Sequence, residues 1–368
     1  MIVQGLNEEA FDGETGMNKR STQSAGLAAA RPGQALSRRD FLIRSALAGL
    51  ILPQEFGRRP FRRRIDPAQA PAYRHRIISV ERLAAAKEEI DDLRSSDRIS
   101  RAKHLREELA RLDCRVPPEI SGAKAVIIAA VFAKTMSANF LWKGRPRAVT
   151  VPPQYFKDDL NRETLKAVLF KDVAKNPAAR LVDIGDRVPL KLLAARSGLG
   201  RFGRNNLIYV DGMGSANLLY AYATDVALPE DEWSDPVLLQ ECRHCHLCDR
   251  ICPTRCMTRE NFIIDAGRCI TLYNEIEGSF PNYVLPSMHN ALMGCLKCQS
   301  PCPANEGLEE MSGRFEDVSE EETGKILGGK PDDALLASLQ AKLRQHQAVA
   351  SKEAFPILTR NLGLLLRP

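Results

Sequence analysis

The chain has 368 residues, ten of them cysteine, with 44% apolar and 27% charged residues. That composition excludes wholesale disorder and a collagen-like chain, and the length excludes a small disulfide-stapled scaffold. No stretch approaches the roughly 20 apolar residues of a spanning helix, so no membrane-spanning segment is expected. The formal net charge is +6, of which residues 1–72 carry +4, so the body shows no gross basic excess of the kind a dedicated nucleic-acid binder displays.

Residues 1–37 are rich in Gly, Ser, Ala and Gln without an apolar period and read as disordered. Ser37-Arg38-Arg39-Asp40-Phe41-Leu42 then precedes the apolar run 45–52. This resembles a twin-arginine export signal, with Ala68-Gln69-Ala70 as a small-residue cleavage site. The long stretch before the arginines and the basic cluster 58–64 argue for the alternative, a disordered leader on a cytoplasmic protein. Residues 1–72 are therefore taken as a leader, and the finished protein as either exported to the periplasmic side or cytoplasmic.

From Ile77 to Cys114 the apolar spacing is helical. The run 123–132 (AKAVIIAAVF) predicts a buried strand, and 147–151 a second one stopped by Pro152-Pro153. Helices are expected over 158–175, ended by Asn176-Pro177, and over 189–197, with Pro189 at the start and Gly198 just past the end. Strands follow at 207–210 and 218–226. The mixture predicts an α/β or α+β domain over 73–235. A cysteine module over 236–310 comes next, then a helical C-terminal extension over 311–368 whose helix at 331–348 and apolar end dock back on the body.

Nine of the ten cysteines fall between Cys242 and Cys302. The first run is Cys242-x2-Cys245-x2-Cys248-x3-Cys252-Pro253; the second is Cys295-x2-Cys298-x3-Cys302-Pro303, with Cys269 well before it. A C-x2-C-x2-C loop wraps three corners of an iron–sulfur cubane. The fourth cysteine, ahead of a proline, points away to the other cluster. Cluster one then takes Cys242, Cys245, Cys248 and Cys302, and cluster two takes Cys252, Cys269, Cys295 and Cys298. Cys256 is an alternative to Cys269, whose place no local spacing defines. Zinc held by the C-x2-C pairs would leave both Cys-Pro steps unexplained. Haem at Cys242-x2-Cys245-His246 would leave Cys248 and Cys252 without a role. His244 and His246 read as solvated or as hydrogen-bonding to cluster sulfur.

Gly198-Leu-Gly200-Arg-Phe-Gly203 fits the G-x-G-x-x-G pattern, but it follows a helix and leads into a strand, the reverse of a dinucleotide site. Gly198 reads as a helix cap. Gly200 and Gly203 read as turn or close-approach glycines, and the backbone of all three is a candidate surface for another large cofactor.

Several segments in order resemble epoxyqueuosine reductases. These are Leu193-Ala-Ala-Arg-Ser-Gly-Leu-Gly200, Gly203-Arg-Asn-Asn-Leu, Gly214-Ser, Thr224-Asp225, the first cysteine run, Arg268-Cys269-Ile270 and the Gly294-Cys295 run. The architecture is also similar to corrinoid reductive dehalogenases. The resemblance covers about 181–305 and implies an α+β protein: a nitroreductase-like α/β domain able to hold cobalamin, then a bacterial-ferredoxin-like domain with two 4Fe–4S clusters. It further implies that the clusters relay electrons from an external flavodoxin- or ferredoxin-type donor to a reductive site, where an oxygen or a halide is removed from a small-molecule or modified-nucleoside substrate. An aspartate supplies the proton in the family's Val-Asp-Ser-Ala-Pro segment. Here Val182-Asp183-Ile-Gly-Asp186-Arg-Val-Pro189 stands in its place, so Asp183 and Asp186 are alternative catalytic residues. The family's Gly-x-Asp-Tyr-His segment has no counterpart. Trp142 and Tyr155 occupy that region, either stacking on a ligand or serving as core. Two rivals to the relay enzyme are a non-catalytic ferredoxin-type electron-transfer protein and a cytoplasmic epoxyqueuosine reductase acting on tRNA.

Overall fold

A computed structural model describes residues 64–155, 162–258, 263–344 and 351–366. The twin-arginine-like segment lies outside the described residues. Residues 64–72, expected to belong to the leader, are tied to the body instead. Ile65 is buried, its N–H donates to the Glu306 carbonyl over 2.8 Å, and Asp66 caps a short turn at Pro67–Gln69.

In chain order the first elements are β1 (Tyr73–Ser79), α1 (Arg82–Ser95), α2 (Lys103–Arg111), β2 (Ala125–Phe132), β3 (Met136–Trp142), β4 (Arg145–Val151) and α3 (Arg162–Leu169). Next come β5 (Leu181–Asp183), α4 (Leu190–Arg196), β6 (Arg201–Phe202), β7 (Ile208–Tyr209) and β8 (Asn217–Thr224). Strands β1, β2, β8 and β5 form one sheet in that order, antiparallel throughout. Strand β2 is central, and its continuous apolar run serves two cores at once. Val126, Ile128 and Ala130 face α1 and α4, while Ala125, Ile127, Ala129 and Val131 face α3. Successive side chains of a strand point to opposite faces, so a strand covered on both sides needs apolar residues at every position.

The same two-sided burial explains a difference from the sequence pattern. Ile77 was placed in a helical segment, yet it lies in β1, paired with Ile127. Ile77 and Ile78 point into the two different cores, so adjacent isoleucines suit a strand here. Helix α4 ends as foreseen, because Gly198 adopts φ +70° just past it. Helix α3 passes into a wider turn at Phe170–Ala174 and stops at Lys175, φ +50°.

The remaining elements are α5 (Leu247–Ile251), α6 (Ile270–Glu275), β9 (Gly313–Arg314), α7 (Glu320–Leu327), α8 (Asp333–Lys342) and α9 (Phe355–Leu365). The β3–β4 hairpin does not join the main sheet. It pairs with β9 and packs with α7, α8 and α9 into a separate core that includes Phe140, Val149 and Leu358. Strand β3 was not foreseen, although its buried Met136, Ala138 and Phe140 alternate with less buried residues. Trp142 and Tyr155 both belong to this core, which favours the core reading of these aromatics. Among the described residues no helix is long and apolar enough to cross a membrane.

Candidate metal centre

Between Gln240 and Asn305 regular structure shrinks to single turns, and cysteines sit at the turn ends. Cys252 closes α5, its N–H donating to the Cys248 carbonyl over 3.1 Å. Cys269 is the N-cap of α6, and Cys302 is the N-cap of the turn Pro303–Asn305. Pro303 follows Cys302 in the first turn, where its missing N–H would have no partner, and Pro253 follows Cys252 just past the end of α5, where the helix cannot continue.

The thiols fall into two sets. Cys242, Cys248 and Cys302 each sense the charge of neighbours within a group completed by Cys245. Cys295 is coupled in the same way to Cys252 and Cys269, and Cys298 to Cys295 and Cys269. The last cysteine of each run therefore lies with the other run. Cys298 also senses Cys248, so the two sets adjoin. All ten cysteines are free thiols. Burial pushes Cys242 and Cys302 up, Cys248 and Cys295 up to about 11, and Cys298 further still. Metal binding would displace those protons, because the thiolate and not the thiol is the ligand.

The donor set fits two polynuclear clusters. It is all sulfur, grouped four and four, with a further thiol beside the second group. Among the described residues no three His, Cys, Asp or Glu side chains are placed to hold a single metal ion. Cubane ligands stand wider than that because each binds a different iron. His244 and His246 are exposed.

The glycine segment turns out to hold the cysteine module. A Cβ on Gly200 would lie 2.5 Å from Ile208 Cγ2, and one on Gly203 2.4 Å from the Tyr209 ring. A Cβ on Gly198 would meet Glu232 at 2.9 Å. Protein therefore already fills the space beside all three, and they do not form an open cradle. Gly200 and Gly203 let the β6–β7 hairpin close tightly, and the hairpin presents polar residues to the cysteines. Arg204 donates to the carbonyls of Cys242 and Cys245 over 2.7 and 3.3 Å. Tyr209, in turn bonded by Asn205 over 3.1 Å, donates its hydroxyl to Cys302 Sγ over 3.2 Å. Asn305 accepts from the Ser215 N–H at 2.9 Å and donates to Ser215 Oγ at 2.8 Å. In the sequence Gly203-Arg-Asn-Asn marks only a family resemblance, and the roles of Arg204, Asn205 and Tyr209 emerge from the fold. Polar residues beside glycines in a tight hairpin were the available signal.

Two further ionisable groups, both half-buried, stand near Cys269. Glu275, at the end of α6, accepts from the Tyr155 hydroxyl, and burial lifts its carboxyl to about 7. Lys191 of α4 donates to the Asn206 carbonyl over 3.0 Å, and burial lowers its ammonium to about 8.

Of the two candidate aspartates, Asp183 is half-buried and Asp186 exposed. Asp183 ends β5 opposite Tyr222, and its Oδ1 accepts from the Gly185 N–H over 2.8 Å. Arg162 Nη1 lies 2.8 Å from Oδ2, yet Oδ2 is buried with no aligned hydrogen bond, so the contact is one of charge rather than of direction. Burial raises the Asp183 pKa, and Arg162 only partly opposes this.

Residues 241–305 match the family of 4Fe-4S double cluster binding domains. Epoxyqueuosine reductase of Escherichia coli is 40% identical over 114 residues, 31% of this chain and 29% of that protein. The Bacillus anthracis epoxyqueuosine reductase is 26% identical over 209 residues, 54% of this chain and 53% of that protein. The chain thus spans at most about half the length of these curated relatives. A solved structure of epoxyqueuosine reductase with an epoxyqueuosine-modified tRNA-Tyr stem loop superposes with TM-score 0.51 at 19% identity, covering 89% of this chain and 80% of that one. The chain is similar to epoxyqueuosine reductases in sequence and shares their fold of mixed α and β elements.

Proposed function

We propose that this chain is an iron–sulfur reductase of the epoxyqueuosine reductase kind, acting on an epoxide-bearing modified nucleoside in tRNA. The observation that carries the reading is the crossed grouping of the thiols, Cys302 with the first run and Cys252 with the second. Cys242, Cys245, Cys248 and Cys302 hold one cluster, and Cys252, Cys269, Cys295 and Cys298 hold the other. When bound, 4Fe–4S clusters supply electrons singly, here from an external flavodoxin- or ferredoxin-type donor. A tRNA substrate places the work in the cytoplasm.

Removing an epoxide oxygen as water takes two electrons and two protons. Asp183 is the residue of this chain suited to give a proton. Its burial keeps the carboxyl protonated to higher pH than a free aspartate, and among the described residues the charged side chain within hydrogen-bond range of it is Arg162. Asp186 is exposed and has no comparable environment. The sheet domain is read as nitroreductase-like on the family resemblance. The corrinoid that the resemblance implies finds no cradle at Gly198, Gly200 and Gly203, where protein fills the space, so no step is assigned to it.

The test is anaerobic purification, a chemical reductant and tRNA carrying epoxyqueuosine, with mass spectrometry of the released nucleoside. Loss of one oxygen from the nucleoside, abolished by Asp183→Asn, is the expected result. A protein loaded with about eight irons per chain that leaves the epoxide intact overturns the substrate assignment.

A further inference from the structure

Two clusters need eight thiolates, and the segment from Cys242 to Cys302 contains nine. The ninth is Cys256, which is 2% exposed and lies directly against the second set. Arg255 adopts φ +52°, turning the chain back after Cys252-Pro253-Thr254. The Cys256 N–H then donates to Cys252 Sγ over 3.4 Å, and the two sulfurs stand 3.5 Å apart. The Asp265 N–H donates to the Cys256 carbonyl over 2.8 Å and holds the turn.

The sulfur separation has a chemical meaning. Two thiolates bound tetrahedrally to one metal at about 2.3 Å each stand roughly 3.8 Å apart. Thiolates on different corners of a cubane are further apart than that. Cys256 Sγ is therefore close enough to reach the iron that Cys252 binds, and it also hydrogen-bonds Cys269 of the same set. The first set has no such neighbour, because the tenth cysteine, Cys114, is buried in the sheet core.

We propose that Cys256 is a spare ligand for the iron that Cys252 binds, so that the second cluster tolerates loss of a ligand that the first cannot. Cys256 would then hold that iron in place of Cys252, its thiol proton passing to the departing Cys252 thiolate 3.5 Å away. No electron moves. This inference rests on the cluster assignment proposed above.

The test compares Cys252→Ala, Cys252→Ala/Cys256→Ala and Cys245→Ala in the full chain, purified anaerobically. The readouts are iron and sulfide per chain and electron paramagnetic resonance after reduction. Unaltered protein should hold about eight irons, and a chain with none overturns the cluster reading and this proposal together. Cys252→Ala should keep about eight irons, whereas the double variant and Cys245→Ala should fall to about four. A Cys252→Ala protein that drops as far as the double variant, or aggregates when Cys245→Ala stays soluble, overturns the spare-ligand role while leaving the cluster reading intact. A second measurement leaves all eight assigned ligands in place. Iron release to a chelator should be roughly 10-fold faster in Cys256→Ser than in the unaltered chain, the lower end of the range by which supporting residues alter metal affinity. Equal rates overturn the proposal.

Discussion

The sheet and the cysteine segment are built by opposite means. Strand β2 pairs with β1 and β8 along seven and eight residues, and its two faces feed two apolar cores. The cysteine segment has only short turns. It is held by residues reaching in from elsewhere: Arg204, Tyr209 and Ser215, and in addition Arg360 and Asn361 of α9. Asn361 donates to the carbonyls of Asn274 and Leu292 over 2.9 and 3.0 Å, and Arg360 stacks on Phe280 at 4.1 Å. The sheet is stabilised by hydrophobic burial on both faces. The cysteine segment needs its metal and its docking partners, because its thiols gain little from burial by themselves.

That contrast can be pressed from both sides. The largest effect should come from Cys298→Ala, whose sulfur has no spare neighbour in the assigned scheme. Iron should fall from about eight to about four per chain and reduction should cease, while far-ultraviolet circular dichroism keeps the sheet signal. Loss of the sheet signal would mean that the two regions fold as one unit. Asp183→Asn should leave iron content unchanged and cut turnover by about 10²- to 10⁴-fold. With Asp183 as proton donor, turnover in the unaltered chain should decline as pH rises through its elevated pKa. A flat profile from weakly acidic to alkaline pH would remove Asp183 from that role.

Smaller effects separate the regions energetically. Ile128→Ala, in the centre of β2, should cost about 2–5 kcal/mol in urea unfolding with iron content preserved in the folded fraction. Glu275→Gln should act through pH instead. The folded carboxyl titrates near 7, above its unfolded value. Its contribution to stability is therefore complete below the unfolded pKa and is lost as pH rises through 7. The variant should flatten this decline, worth roughly 2 kcal/mol between mildly acidic and mildly alkaline conditions. Melting temperatures of both proteins across that range provide the check, and parallel curves would show that Glu275 does not titrate there.

The strands most readily found in sequence were those whose burial is dense and local, as in the run 123–132. Strand β1 was hidden because Ile77-Ile78 also fits the start of a helical pattern, and only pairing with β2 decides between them. Strand β3 was hidden because its partners, β4 and the distant β9, lie in a core completed by residues near the C-terminus. Both candidate aspartates were visible. Their ranking was not, since it depends on Tyr222 and Arg162 standing around Asp183 across the sheet.

By itself the sequence determined the chemistry: nine sulfur donors, seven of them in two ferredoxin-type runs, because ligand type and spacing are local properties of the chain. The tertiary structure decided what surrounds that chemistry. It set Cys256 against Cys252, and turned the glycine segment from a possible cofactor surface into the hairpin that grips the cysteine loop. Those outcomes depend on which atoms fill the space beside a residue, and residues far apart in the chain supply those atoms.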